Sequence, residues 1–115
     1  MTTVSPERFE ELVGDALTGL PAEFAAAMEN VAIIIEDHAE GQNLFGLYEG
    51  VPLTRRGAYY GAVLPDKITI YRGPLERLYG RDPLRLREEV RRVVLHEIAH
   101  HFGIDDERLV EIDRY

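Results

Sequence analysis

The sequence predicts an α+β domain, a small mixed sheet of about three strands packed against one central helix and a pair of N-terminal helices. Three observations carry this. Amphipathic stretches of helical period open the chain, and short β-branched runs occupy its middle. Near its end lies a long segment that is charged in its first half and apolar on nearly every side in its second. With 115 residues, 45% of them apolar and 30% charged, residues 1–115 read as a single globular domain.

Each element has its own signal. Ser5-Pro6 is a cap followed by a first-turn proline, and Phe9, Leu12, Val13, Ala16 and Leu20 recur at helical spacing up to Gly19. Pro21 opens a short second helix with Phe24, Ala27 and Met28 inward. Val31–Ile35 is apolar throughout and β-rich, as expected of a central strand covered on both faces. From Asp37 to Gly57 no period is visible, and a loop of that length is functional or itself partly structured. Tyr59–Leu64 and Lys67–Tyr71 read as strands joined by a Pro65-Asp66 turn. In the second, Ile68 and Ile70 alternate with Lys67, Thr69 and Tyr71, the pattern of a half-exposed or edge strand. After Gly73-Pro74 comes a helical turn with Leu75 and Leu78. The longest helix should run from Asp82-Pro83 to about Phe102, stopped by Gly103, and Ile104–Tyr115 suits a last short helix.

Charge narrows the function classes. The chain holds 13 basic and 21 acidic residues, a formal charge of -8, which opposes a general phosphate-backbone binder. No nucleic-acid partner is expected. Its longest apolar stretch is far too short for a membrane span, and its start lacks the basic and apolar regions of a signal peptide, so a cytoplasmic protein is expected. With no cysteine, any metal must be held by His, Asp and Glu.

The apolar half of the long helix contains four polar residues, His96, Glu97, His100 and His101. Burying such groups without partners is costly, so the segment asks what they bind. His96-Glu97-Ile98-Ala99-His100 has the H-E-x-x-H spacing. Histidines at i and i+4 share one helix face, where both imidazoles reach one ion. Glu97 is rotated by about 100° from His96 and sits beside the ion, placed to take a proton from a water that the ion activates. His101 points away from the pair and reads as packing or support. His38 reads as a solvated loop histidine, and the aromatic pairs Tyr59-Tyr60 and Phe45/Tyr48 as core and loop packing.

On these residues the chain resembles the zincins, and more narrowly the small single-domain zincin-like metallopeptidases of bacteria. The resemblance rests on His96-Glu97-x-x-His100-His101-x-Gly103-x-Asp105-Asp106-Glu107, on Gly46-Leu47-Tyr48-Glu49-Gly50-Val51-Pro52-Leu53 and on Ile68-Thr69-Ile70-Tyr71-Arg72. It implies a minimal zincin-like fold and one zinc ion per chain, held by His96, His100 and Asp106. It also implies Glu97 as general base and hydrolysis of a peptide or protein substrate. Asp105, or Glu107 with Glu111, are the alternative carboxylate ligands after the Gly103 turn. Zincins pair extended substrate with an edge strand above the active helix, which points here to Lys67–Tyr71, with Ile70 and Tyr71 as substrate contacts. Tyr71 and Arg72 are candidates for stabilising the oxyanion. One departure is visible: methionine occurs only at positions 1 and 28, so no Met-turn follows the third ligand.

Two other readings share the motif. A metal-dependent interaction module would keep the site without cleaving its partner, and peptide hydrolysis that depends on Glu97 separates the two. The endoribonucleases of rRNA maturation use three histidines at the same offsets but lack the glutamate, and the acidic charge opposes them.

Overall fold

The computed structural model describes residues 4–20, 22–28, 30–50 and 66–103. The first helix, α1 (Pro6–Thr18), is capped by Ser5, whose hydroxyl accepts the Arg8 amide proton at 3.1 Å, and Pro6 occupies the first turn, where no backbone donor is needed. Phe9, Leu12, Val13 and Ala16 form its buried stripe. Next comes α2 (Ala22–Ala27). The side chains of Phe24 and Ala27 lie outside the described residues, while Met28 packs partly buried against the core.

Three strands form one mixed sheet: β1 (Val31–Glu36), β2 (Gly46–Glu49) and β3 (Asp66–Tyr71), in the order β1-β3-β2. β1 runs parallel to β3, with Ile33 opposite Ile68, and β2 runs antiparallel to it, with Tyr48 opposite Ile68. The expectation of an edge position for Lys67–Tyr71 is therefore overturned. Lys67–Tyr71 is the central strand, and Val31–Ile35 has β3 as its partner on one side. The reason is physical. Hydropathy within one strand shows neither its hydrogen-bonded neighbours nor what other elements cover: no residue of β1 is fully buried, and Ala32 is exposed, against the expected cover on both faces. Thr69 and Tyr71 are only 2% and 6% exposed, so both faces of β3 are buried despite their polar groups. β2 falls within the stretch that showed no period; a strand of four residues is too short to establish one.

Two further helices complete the described residues. In α3 (Arg72–Tyr79) the Gly73-Pro74 pair opens the helix instead of separating it from the strand; Leu75 is fully buried, whereas Leu78 faces solvent. Asp82 caps α4 (Pro83–His101), its carboxylate accepting the Arg85 amide proton at 3.2 Å. The helix ends at Phe102, and Gly103 follows with φ 89°, the left-handed conformation that glycine adopts without strain. Leu86, Val90, Val93, Val94 and Ile98 of α4 join the α1 stripe and Ile68 and Ile70 of β3 in one core. α4 thus lies between α1 and the sheet, with β2 and β3 against it. No described helix is long and apolar enough to cross a membrane. Tyr59–Leu64 and Ile104–Tyr115 lie outside the described residues.

Candidate metal centre

The site is built on the last two turns of α4, where core packing holds the helix on most sides. His96 and His100 are half-buried and Glu97 is buried. Their ligand atoms all lie within 4.8 Å of one another. The two imidazoles are 4.8 Å apart between ring centroids and nearly perpendicular, at 86°. Two imidazole nitrogens converging from one helix face, with a carboxylate oxygen close beside them, suit a divalent ion of intermediate softness and fit zinc. Among the described residues this is the group of His, Asp and Glu able to hold a metal. Asp106, with Asp105, Glu107 and Glu111, lies outside them.

Glu97 is also fixed from the sheet side. A Cβ at Gly46 of β2 would stand 2.8 Å from Val93 Cγ1, 3.0 Å from Glu97 Cγ and 3.2 Å from Glu97 Oε2. The absent side chain is what lets β2 approach the helix at that turn. Beside this contact a groove of about 360 Å³ opens, lined by Asn43, Leu44, Phe45 and Gly46 on the sheet side and by Glu89, Arg92, Val93, His96 and Glu97 on α4.

His101 faces a different environment, rotated by about 100° from His100. Its Nδ1 lies 2.9 Å from Asp66 Oδ2, and both side chains are buried. Tyr48 donates its hydroxyl proton to the same oxygen at 2.6 Å. An ionised carboxylate only accepts, so His101 carries its hydrogen on Nδ1 in this pairing. Sequence reasoning missed Asp66, which stands where a turn was expected, and took Tyr48 for packing. Only the pairing of β2 with β3 brings them together. A spacing signal existed, since Gly46 and Tyr48 alternate on one strand face, but two positions do not establish a period.

Ile70 and Tyr71 do not sit on an edge. β3 is hydrogen-bonded on both sides and Ile70 is fully buried, so neither residue can receive an added substrate strand. Burial, with the nearby charges of Glu36, Glu49 and Glu97, pushes the Tyr71 phenol above its ordinary pKa. Arg72 is engaged by Glu76 one turn along α3. His38 is exposed in the loop after β1, against Gly73, and is not part of the group.

A buried helix carrying His, Glu and His on a small mixed sheet defines an α+β protein with a candidate metal site. The chain belongs to the zincin-like metallopeptidase family, whose model matches residues 28–115. The family implies a metal ion, typically zinc, at the His–Glu–His group. No curated protein matches the chain.

Proposed function

We propose that this protein is a zinc-dependent metallopeptidase that hydrolyses peptide bonds with Glu97 as general base. The observation that carries the reading is the convergence of His96, Glu97 and His100 within 4.8 Å on one helix, beside a groove of about 360 Å³. His96 and His100 would hold the ion, with Asp106 as third protein ligand from beyond the Gly103 turn. A zinc ion bound there supplies Lewis acidity, polarising a carbonyl oxygen and making a neighbouring water more acidic. Glu97 receives the proton of the attacking water on its carboxylate and passes it to the departing amine. Its buried position against Gly46 and Val93 holds that carboxylate in one place and limits competing water.

The test is Glu97→Gln, which keeps a side chain of the same shape. Fold and bound metal should persist while hydrolysis of a peptide library falls by on the order of 10²-fold or more. Equal hydrolysis by the variant would remove Glu97 from the chemistry. Absence of hydrolysis by the unsubstituted, zinc-loaded protein would leave the metal-dependent interaction module as the reading.

A further inference from the structure

The groove beside Glu97 is asymmetric in charge. Its walls are apolar at Leu44, Phe45 and Val93. Phe45 is held by a tilted contact with Tyr79, over whose ring the Arg85 guanidinium lies 5.1 Å from the centroid. Two charged side chains besides Glu97 line the groove, and they differ. Glu89 is buried and already neutralised, with its Oε2 2.8 Å from Arg85 Nε. Arg92 is exposed and enters no hydrogen bond or ion pair among the described residues. Among the described residues the Arg92 guanidinium thus stands in the groove without an ion-pair partner, in a chain whose formal charge is -8.

Its distance from the chemistry is set by the helix. Arg92 precedes His96 by four residues, about 6 Å along the axis at 1.5 Å per residue. An extended peptide covers that span in about two residues at 3.3 Å each. We propose that this groove selects substrate segments with an apolar side chain next to the scissile bond and an Asp or Glu side chain about two residues from it, the apolar group resting on Leu44, Phe45 and Val93 and the carboxylate meeting Arg92. The inference rests on the peptidase reading for the position of the bond, but the recognition is a binding property of the groove itself. Guanidinium and carboxylate form paired, charge-assisted hydrogen bonds, whereas a glutamine there offers a single neutral oxygen and a lysine offers no acceptor.

The experiment measures binding apart from turnover. Fluorescently labelled hexapeptides, blocked at both ends, carry Leu at one position and Glu, Gln or Lys two residues along. Their Kd values are measured by anisotropy on the full-length Glu97→Gln protein loaded with zinc. The Glu peptide should bind about tenfold tighter than the Gln peptide and tighter still than the Lys peptide. Arg92→Gln should erase the preference, and Arg92→Glu should invert it in favour of Lys; the residue is exposed, so both variants should fold. Equal affinities, a preference that survives Arg92→Gln, or no binding at millimolar peptide would each overturn the proposal. Cleavage of the same peptides by the unsubstituted protein separates the two readings. Arg92-dependent binding without cleavage removes the peptidase and leaves the groove, while cleavage without charge preference does the reverse.

Discussion

His101 and Asp66 lie 35 residues apart in sequence, yet their Nδ1 and Oδ2 atoms are 2.9 Å apart and each side chain is 1% exposed. The pair joins the last turn of α4 to the first residue of β3, and Tyr48 ties β2 to the same oxygen. It therefore fixes the end of the helix one residue beyond His100. Removing one member of a buried hydrogen-bonded pair leaves the other without its partner away from water, which costs more than the bond itself contributes. Asp66→Ala should lower stability by about 1–3 kcal/mol. Tyr48→Phe, which deletes one donor, should cost about 1 kcal/mol. Urea unfolding of both variants and their double mutant measures the coupling, and additive losses would show that the two contacts are independent.

Metal binding should follow the donor set. A zinc titration of the unsubstituted protein should saturate at one ion per chain, and the His96→Ala, His100→Ala double variant should not bind. Asp106→Ala should weaken binding sharply, Asp106→His should retain it because imidazole is an equally good zinc donor, and Asp105→Ala should change it only a few-fold. At zinc about 100 times its Kd, the bound ion should add about 2.7 kcal/mol to unfolding, and a chelator should remove that increment. Normal binding by Asp106→Ala would take that residue out of the site.

Gly46 should tolerate no larger residue. In Gly46→Ala the new methyl stands 2.8 Å from Val93 Cγ1, so β2 or α4 must shift, at about 1–3 kcal/mol. Because Glu97 lies in the same contact, hydrolysis should fall as well. Val93→Ala removes the nearest atom, so the double variant should lose less stability than the two single losses added. Thermal melts and peptide assays of the three proteins provide the comparison.

Alkaline stability should report on Tyr71. Its phenol has a folded-state pKa raised above the ordinary 10.0, chiefly by burial and then by Glu36, Glu49 and Glu97. The neutral phenol is thus favoured by the fold. Its contribution is complete below about pH 10 and is lost as pH rises from there through the folded pKa. Tyr71→Phe cannot ionise and should flatten that part of the profile. Urea midpoints between pH 8.5 and 11.5 provide the measurement; parallel declines in both proteins would exclude Tyr71 as the cause.

What the sequence determined by itself was local. Ser5-Pro6 and Asp82-Pro83 marked two helix starts, and Gly103 marked the α4 stop, because caps and φ preferences act within a few residues. His96, Glu97 and His100 were legible because their mutual geometry is set within a single helix and needs no partner element. Tertiary structure alone decided the rest. Which strand takes the centre depends on pairing between distant segments, which hydropathy does not encode, so among the described residues β3 and not β1 is paired on both sides. The Asp66–His101–Tyr48 contact joins three elements, and the Gly46–Glu97 approach joins two. No periodicity within one segment encodes either, since each depends on where the sheet comes to rest against α4.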